Sequence, residues 1–524
     1  PQLIYHLTNM SKEQERAELH RVIWNIANDL RGSVDGWDFK TYVLGMLFYR
    51  FISEDLTRYL NKLVAETGTT DFDYASLSDE EALRAKDQTV QEKGYFILPS
   101  ELFQNVAKRA KNDDALNETL KRVFTNIEGS AKGTPSEPDL KGLFSDFDVN
   151  SNKLGGTVVQ RNAKLTSIIE RIADFKLGGE LQEANTDIFG DAYEYLMTMY
   201  ASNAGKSGGE FFTPQEVSKL LALIAIDGRE TINRAYDPAC GSGSLLLQFR
   251  KLMGDNVKNF YGQEINITTY NLCRINMFLH GVNFEKFDIA LGDTLIDPQH
   301  WDYEPFDAIV SNPPYSTKWV GDGDATLIND PRFSPAGVLA PKSKADLAFT
   351  MHMLSWLSTT GTAAIVEFPG VLYRGGAEGK IRKYLIENNY VDTVIQLPDN
   401  LFFGVSIATC IIVLKKSKGD NCVLFVDASN EFVHEGNKNK LSEDNIERIK
   451  DAVFSRTEEQ HFTRLVKNQD IAEKDYNLSV SSYVEKEDTR EVIDIVKLNA
   501  EIERIVAHEN ELRMAINKII NELR

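Results

Sequence analysis

Apolar residues recur every three or four positions through roughly the first 160 residues of the chain. The stretch "TYVLGMLFYRFISEDLTRYLNKLVAE" carries this spacing, and "LTSIIERIADFKL" and "DIFGDAYEYLMTMYA" continue it. Apolar side chains at such intervals lie on one face of a helix, and a globular protein buries that face. The pattern therefore predicts an all-helical N-terminal region.

From about residue 230 the pattern changes to short apolar runs separated by helical stretches. The first four runs are "NRAYD", "KNFYGQE", "DIALGD" and "FDAIVSN". Strands that alternate with helices form a largely parallel sheet with helices on both faces, so we predict an α/β fold. Two loops, residues 316–343 and 373–380, interrupt the rhythm. A long loop without periodicity, such as the first, is usually functional or disordered.

The last segment, from Ile495 to Leu523, has apolar residues at heptad-like steps, with Glu509 at the one polar position of this seam. Such a seam favours a long helix that pairs with a second helix. That second helix can belong to a partner protein or to the same chain, and the pattern does not choose between them.

Size and charge narrow the class of protein. The chain has 524 residues, which is too many for one core, and no apolar stretch approaches the length of a membrane helix. Its four cysteines are scattered, which is typical of a reducing cytoplasm and gives no zinc pattern. With a formal net charge of −20, the chain would bind DNA through a local basic face or a basic partner.

The segment "AYDPACGSGSLLLQF" predicts a strand, a glycine-rich turn and a helix that begins near Ser244. Such a turn brings backbone N–H groups close to a ligand. It departs from the dinucleotide fingerprint G-x-G-x-x-G, because Gly241 and Gly243 are followed by Leu246 at the third position. A pyrophosphate cofactor is therefore less favoured. We interpret Cys240 within the turn as a small core residue.

Three acids follow three consecutive predicted strands. Asp237 is suited to a cationic amino group, Glu264 to the two hydroxyls of a ribose, and Asp293 to the amino group of an adenine. No lysine in this pattern is placed to bind phosphates. The set describes a nucleoside that carries an amino acid, which fits S-adenosyl-L-methionine.

Upstream, "SGGEFFTPQEVSKLL" reads as a loop that leads into a helix. Thr213 is predicted as the N-cap, Pro214 as the first helical residue and Glu216 as the third. A plain helix cap does not explain the adjacent aromatic residues Phe211 and Phe212, and these could cover the cofactor.

The fourth strand ends on Asn312-Pro313-Pro314-Tyr315. An exocyclic adenine amine is a poor nucleophile because the ring delocalises its lone pair. The Asn312 side-chain oxygen and the Pro313 carbonyl are two acceptors that could draw the amine hydrogens out of the ring plane. The prolines hold these acceptors without competing N–H donors, and Tyr315 could stack on a base swung out of the duplex. Such catalysis needs neither a metal nor a covalent nucleophile.

These motifs resemble those of the amino-methyltransferases. The resemblance then narrows, because "WDFKTYVLGMLFYRFIS", "GGEFFTP", "FPGVLYRGGAEGKIRKYLIENN" and "YNLSVSSYV" look like segments of the modification subunit of type I restriction–modification systems. It covers nearly the whole chain and implies a Rossmann-like, S-adenosylmethionine-dependent domain that methylates N6 of adenine in double-stranded DNA. It also implies a separate specificity subunit that reads the sequence, a restriction subunit for cleavage, and two methyltransferase subunits per specificity subunit.

Carried over by motif, the resemblance implies two sets of site residues. The catalytic set is Asn312, Pro313, Pro314 and Tyr315. The cofactor set is Glu210, Phe211, Phe212, Thr213, Pro214, Gln215, Asp237, Gly241, Ser242, Gly243, Ser244, Glu264 and Asp293.

We predict four segments along the chain. Residues 1–9 are an upstream leader rather than a signal peptide, and residues 10–165 form the helical domain. Residues 166–485 form the methyltransferase domain, and residues 486–524 form a C-terminal helix for partner docking. We expect a cytoplasmic protein of a bacterium or archaeon, with no membrane association.

Two other functions stay open. The Asn-Pro-Pro-Tyr turn suits any planar amide or amine, so methylation of a protein glutamine is an alternative, although the large helical region and the heptad tail argue against it. A scaffold that holds the cofactor without turnover is the other alternative, and the intact tetrapeptide argues against that.

Overall fold

The computed structural model describes most of the chain, and the predicted leader lies outside the described residues, which are 17–18, 20–25, 36–174, 185–203, 212–487 and 494–523. The chain divides into two compact units, Pro1–Val484 and Glu485–Arg524.

The first part of the larger unit is helical, as the apolar spacing predicts. Its helices are α1 (Gly36–Glu66), α2 (Asp79–Ala82), α3 (Lys86–Lys93), α4 (Phe103–Ala110), α5 (Leu116–Ser130), α6 (Glu137–Leu140), α7 (Val158–Asp174) and α8 (Asn185–Asn203).

Aromatic rings fill the core of this helical region. The Tyr49 ring lies edge-on to Phe103 and Phe124, with centroid distances of 5.4 and 5.5 Å. A Cβ atom on Gly45 of α1 would lie 2.7 Å from the ring of Phe147, so glycine is needed where the two segments approach closely. The apolar face of α1 is therefore covered by its own chain.

A nine-stranded sheet is the centre of the remainder of this unit, and β9 and β10 pair separately as a short antiparallel hairpin. In chain order the strands are β1 (Ile232–Asp237), β2 (Val257–Glu264), β3 (Phe287–Leu291), β4 (Phe306–Ser311), β5 (Leu357–Glu367), β6 (Val391–Gln396), β7 (Cys410–Lys415), β8 (Cys422–Asp427), β9 (Val433–Glu435), β10 (Lys438–Lys440) and β11 (Thr463–Lys467).

The strand order across the sheet is β11-β8-β6-β7-β5-β4-β1-β2-β3. Only β7 and β11 run opposite to the others, so the predicted largely parallel sheet is confirmed. The chain moves from β1 outward to β2 and β3, and β4 then lies on the other side of β1. A reversal of this kind opens a crevice at the carboxyl ends of the two central strands, here β1 and β4.

Helices cover both faces of the sheet. They are α9 (Gln215–Ile226), α10 (Ser244–Met253), α11 (Ile267–Leu279), α12 (Asp346–Trp356), α13 (Ala377–Glu387), α14 (Glu443–Ser455) and α15 (Asn468–Glu473). Alternate residues of β4 belong to two separate apolar cores, Ala308 and Val310 to one and Ile309 to the other. Burial on both faces explains why Ala308, Ile309 and Val310 are consecutive apolar residues in the middle of β4.

One arginine joins the sheet region to the helical region. Arg274 of α11 is 1% exposed, and its guanidinium donates to the carbonyl oxygens of Pro138, Asp139 and Lys141 over 2.9, 3.2 and 2.9 Å. Buried guanidinium groups need several acceptors, which these carbonyls supply. Because α11 follows directly after β2, this contact fixes the segment behind Glu264.

The loop at residues 316–343 is not the irregular segment that its composition suggests. Arg332 is buried within it and donates to the carbonyl oxygens of Thr294 and Leu295 over 2.9 and 2.7 Å. These bonds tie the loop to the turn after β3. It folds into three short 3-10 turns, Gly321–Gly323, Leu327–Asn329 and Ser334–Ala336.

The smaller unit contains α16 (Ile495–Glu522), so the predicted long helix is confirmed. The Asp494 carboxylate caps it by accepting from the N–H groups of Val496 and Lys497, both over 3.1 Å. The described side chains of this helix are exposed, and its pairing with a second helix stays a prediction. Among the described helices, α16 included, none is both long and apolar enough to cross a membrane.

Candidate active site

The glycine-rich turn lies where the sequence predicts it, between Asp237 at the end of β1 and Ser244 at the start of α10. Gly243 has a φ of +82°, and a Cβ atom there would lie 2.8 Å from the Cys273 sulfur. Both the left-handed backbone and the close approach require glycine. Cys240, beside them, is buried as a core residue.

Glu264 ends β2 and faces this turn. One carboxylate oxygen accepts from the Gly241 N–H over 3.0 Å, and the other accepts from the Asn266 N–H over 2.8 Å. Burial raises the pKa of Glu264, while the backbone donors act in the opposite direction. Two backbone donors thus hold the carboxylate in one orientation.

Asp237 is 1% exposed, and one of its carboxylate oxygens accepts from the Ala239 N–H over 3.0 Å. Burial raises the pKa of Asp237 to about 7. Among the residues that the structure describes, no lysine or arginine forms a salt bridge with it. A buried carboxylate in this setting is compensated when a cation binds beside it.

Asp293 lies two residues beyond the end of β3, not at the last strand residue. Its carboxylate accepts from the Leu295 N–H over 3.0 Å and so closes the turn that follows. Its neighbour Gly292 donates to the Glu264 carbonyl over 2.9 Å. Ile265, directly after Glu264, is 68% exposed, an apolar side chain at this edge that the strand pattern does not single out.

The predicted N-cap at Thr213 is wrong by one position, since Pro214 is the N-cap residue. Helix α9 begins at Gln215 after Pro214, and no side chain caps it. The Thr213 hydroxyl accepts instead from the Asn312 side-chain N–H over 3.1 Å. Phe212 is buried with its ring 6.2 Å from that of Phe403. Glu210 and Phe211 lie outside the described residues.

Glu194 of α8 is a buried acid that the sequence pattern does not single out. Its carboxylate accepts from the side-chain amide of Gln215 and from the Ser244 hydroxyl, the latter over 3.2 Å. The Ser242 and Ser244 hydroxyls lie 3.2 Å apart. Burial raises the pKa of Glu194. The signal was an acid inside the otherwise apolar "AYEYLM", where a charged side chain needs partners.

The tetrapeptide follows directly after β4, and its side chains form a connected network. The Tyr315 hydroxyl donates to the Asn312 side-chain oxygen over 2.6 Å. The Tyr315 ring lies 6.5 Å from the ring of Phe368 and 6.3 Å from that of Phe402. Burial raises the pKa of Tyr315 well above its usual value, so the phenol stays protonated.

A second buried acid, Asp346, holds the backbone beyond the tetrapeptide. Both of its carboxylate oxygens lie 3.1 Å from the Ser316 backbone nitrogen, which donates to them. Ser316 has a φ of +50°, which is uncommon for a residue with a side chain. Asp346 begins α12 and is 1% exposed, so its only sequence signal was an acid at a helix start.

The structure thus brings most of the predicted residues to one edge of the sheet. Tyr236 of β1 pairs with Ile309 of β4, so the carboxyl ends that carry Asp237 and Asn312 are neighbours. Among the described residues, no group of three or more His, Cys, Asp or Glu side chains is arranged to hold a metal ion.

A reversal of strand order with acids after three consecutive strands is the arrangement of an S-adenosylmethionine-dependent methyltransferase. Residues 184–492 match the N-6 DNA Methylase family, and residues 19–172 match the HsdM N-terminal domain. The chain belongs to the methylase subunits of type I restriction enzymes, within the N-6 DNA methylases. It is an adenine-specific DNA methyltransferase whose cofactor is S-adenosylmethionine.

Similar proteins span nearly the same length. A type I restriction enzyme MpnII methylase subunit from Mycoplasma pneumoniae is 48% identical, over 98% of this chain and 97% of that protein. The MjaVII methylase subunit from Methanocaldococcus jannaschii is 29% identical, over 97% and 85%. A crystal structure of a type I methyltransferase subunit from Streptococcus thermophilus is 37% identical, has a TM-score of 0.81, and matches 90% of this chain and 100% of that one.

Proposed function

We propose that this chain transfers a methyl group to N6 of an adenine swung out of duplex DNA, with Asn312, Pro313, Pro314 and Tyr315 as the catalytic residues. The observation that carries the proposal is the Asn312 amide, which is held at both ends, by Thr213 and by Tyr315, beside the end of β1. Bound S-adenosylmethionine supplies the activated methyl group.

The catalytic residues act on the amine rather than on the methyl group. The Asn312 oxygen and the Pro313 carbonyl accept the two amine hydrogens and localise the lone pair for attack. In this structure the Tyr315 hydroxyl occupies the Asn312 oxygen, so the incoming amine takes over that acceptor. The Tyr315 ring is then available to stack on the flipped base.

The cofactor residues fit S-adenosylmethionine by the chemistry of their donors and acceptors. Asp237, buried and without a described cationic partner, would hold the ammonium group, and Glu264, fixed by two backbone N–H groups, would hold the ribose hydroxyls. Asp293 would accept from the adenine amino group, and the exposed Ile265 would cover the adenine face.

The remaining cofactor contacts come from two loops. Gly241, Ser242, Gly243 and Ser244 would contribute the turn and the helix start, and the segment from Glu210 to Gln215 would contribute further contacts, as the family motifs imply.

We also propose that sequence is read by a separate specificity subunit, with two copies of this chain per specificity subunit and a restriction subunit added for cleavage. The formal net charge of −20 disfavours unaided capture of DNA. The apolar seam of α16 is exposed, including Ile502 at 49% and Ile516 at 55%, and pairing with a helix of the specificity subunit would cover it. We also propose a cytoplasmic location, which agrees with a DNA substrate in a bacterium or archaeon.

The activity is tested with the chain and its specificity subunit mixed with radiolabelled S-adenosylmethionine and duplex DNA. We expect the label in DNA, as N6-methyladenine identified by mass spectrometry, and little transfer by the chain alone. Label recovered in a protein glutamine would favour the first alternative function. Cofactor binding without any transfer by the complete complex would favour the scaffold.

The docking helix is tested by truncation before Thr489 and by Ile516→Gln on the seam. Met514 is also apolar and exposed but lies off the seam, so Met514→Gln is the matched control. We expect the truncation and Ile516→Gln to weaken the complex in size-exclusion chromatography, with cofactor binding unchanged. A truncated chain that still forms a full-affinity, active complex would refute this role.

A further inference from the structure

The Asn312 side-chain amide makes two hydrogen bonds, one from each of its ends. Its N–H donates to the Thr213 hydroxyl oxygen over 3.1 Å, and its oxygen accepts from the Tyr315 hydroxyl over 2.6 Å. Thr213 precedes α9 and is 9% exposed, so its hydroxyl is largely shielded from water. The contact joins the loop expected to hold the cofactor to the end of β4.

The orientation of this amide decides what the target amine meets. An asparagine side chain has an oxygen acceptor and an NH₂ donor of nearly the same size, and a half-turn exchanges them. If the NH₂ end faced the target, it would present donors to an amine whose own hydrogens need acceptors. A partner that accepts from the NH₂ end therefore keeps the oxygen available for chemistry.

We propose that Thr213 is a positioning residue for methyl transfer, whose hydroxyl accepts from the Asn312 NH₂ group and so directs the Asn312 oxygen to the target amine. This inference rests on the proposed catalytic role of Asn312. It gives Thr213 a role that a helix cap or a cofactor contact alone does not include.

The local structure separates this role from the capping role. No side chain caps α9, and Pro214 is its N-cap residue, so the Thr213 hydroxyl is not used by the helix. The Ser218 hydroxyl donates to the Thr213 carbonyl over 3.4 Å, which leaves the Thr213 side chain free for Asn312. A hydroxyl has one hydrogen to donate. When the Thr213 hydroxyl donates it to a bound anion, such as a carboxylate, its oxygen can accept from the Asn312 NH₂ group but cannot donate to the Asn312 oxygen. Cofactor binding and amide orientation are then coupled through one oxygen atom.

The test compares Thr213→Val, which keeps the shape and removes the hydroxyl, with Thr213→Ser, which keeps the hydroxyl. Single-turnover methyl transfer is measured in the complex with the specificity subunit, with DNA and S-adenosylmethionine at saturation. We expect Thr213→Val to lower the rate about 10- to 100-fold, the usual effect of losing a residue that orients a site group. Thr213→Ser should restore most of the rate.

Thr362→Val is the matched control. Thr362 on β5 is fully buried; its hydroxyl donates to the Asp227 carboxylate over 3.0 Å and accepts from the Arg229 guanidinium over 3.4 Å, so the change also removes the side-chain hydrogen bonds of a buried threonine. Its transfer rate should equal that of the unchanged chain. If Thr213→Val fails to fold, the pair Thr213→Ser and Thr213→Ala repeats the comparison, since these differ only by one hydroxyl.

The outcomes separate this inference from the proposed function. A Thr213→Val chain with a normal saturated rate and only a raised KM for cofactor would overturn the orienting role, as would a loss that Thr213→Ser does not restore. If Asn312→Ala itself retains transfer, the proposed function fails. If Asn312→Ala is inactive while Thr213→Val is fully active, only the inference about Thr213 fails.

Discussion

The two halves of the candidate site satisfy their polar groups in different ways. On the cofactor side, at the ends of β1 to β3, the acids Asp237, Glu264 and Asp293 each accept from backbone N–H groups of nearby turns. On the target side, at the end of β4, Asn312 and Tyr315 bond through their side chains. The acids on the cofactor side are held by backbone donors, whereas the residues on the target side are held by hydrogen bonds between side chains.

This difference indicates which half can rearrange. Backbone donors stay in place as long as the turns do, so the cofactor acids keep their orientation without a ligand. The Tyr315 hydroxyl, by contrast, must leave the Asn312 oxygen before a target amine can use it. We therefore expect changes on the target side to alter the rate of transfer and changes on the cofactor side to alter affinity.

The largest effect expected is that of Asn312→Ala. It removes one of two acceptors for the target amine, and loss of one such preorganised group costs about 10²–10³-fold in rate. Single-turnover transfer should fall by this amount, while calorimetry should show unchanged S-adenosylmethionine affinity. Asn259→Ala is the control, at a half-buried position near the start of β2 and so at the opposite end of the strand from Glu264. A loss of cofactor affinity alongside the loss of rate would contradict the conclusion that the target side controls the rate and the cofactor side controls affinity.

Glu264→Ala should show the reverse behaviour. A hydrogen bond to a charged group contributes about 1.5–3 kcal/mol, so the dissociation constant of S-adenosylmethionine should rise about 10- to 150-fold. At saturating cofactor the transfer rate should stay close to normal. Glu285→Ala, on an exposed turn before β3, is the control. An unchanged dissociation constant would contradict the ribose-holding role.

Asp346→Asn tests the backbone beyond the tetrapeptide. It replaces one of the two oxygens that accept from Ser316, so the left-handed turn after Tyr315 is held less firmly. We expect the transfer rate to fall about ten-fold, equivalent to one charge-assisted hydrogen bond, with cofactor affinity unchanged. Asp324→Asn, in the loop that Ser316 begins, is the matched control, since its carboxylate is exposed and also accepts from a backbone N–H. Equal transfer rates for the two variants would show that Asp346 has no role in holding the active-site turn.

The sequence allowed the cofactor side to be predicted better than the target side. Asp237 and Glu264 end strands that can be recognised in the sequence from their apolar runs. Parallel strands bring their carboxyl ends to the same edge of a sheet, independently of which side chains they carry. Thr213 was misplaced because Thr-Pro is also the signature of a helix start. Its partner Asn312 is 99 residues away, and only the pairing of the sheet brings the two together.

The sequence also did not predict which charged residues are buried. Glu194, Asp346 and Arg332 are all buried among partners from distant segments. The only sign of such residues in the local sequence pattern is a charged residue inside an apolar run or a loop. The loop at residues 316–343 has a composition typical of disorder, yet the guanidinium of Arg332 ties it to the turn after β3. Hydrogen bonds between distant segments determine where these charged side chains lie, and the periodicity of a single sequence carries no information about such bonds.

The smallest effect concerns pH and the Asp237 carboxyl. Burial raises its pKa to about 7, above the value of 3.8 for an unperturbed group. The native state thus binds this proton more tightly than the unfolded state. Its contribution to stability is therefore full below about pH 4 and is lost as pH rises through about 7. Asp237→Asn should leave the free protein unchanged near pH 4 and stabilise it above pH 7, measured by thermal melting.

Cofactor affinity should follow the ionised form of the same carboxyl. The fraction of Asp237 that is ionised falls about five-fold between pH 7 and pH 6, so S-adenosylmethionine should bind about five-fold more weakly at the lower pH. Asp237→Asn should bind weakly at both pH values and lose this dependence, while Asn312→Ala should keep it. A pH dependence that survives in Asp237→Asn would assign the ammonium to another acid and would leave Asp237 as a group that only fixes the turn before α10.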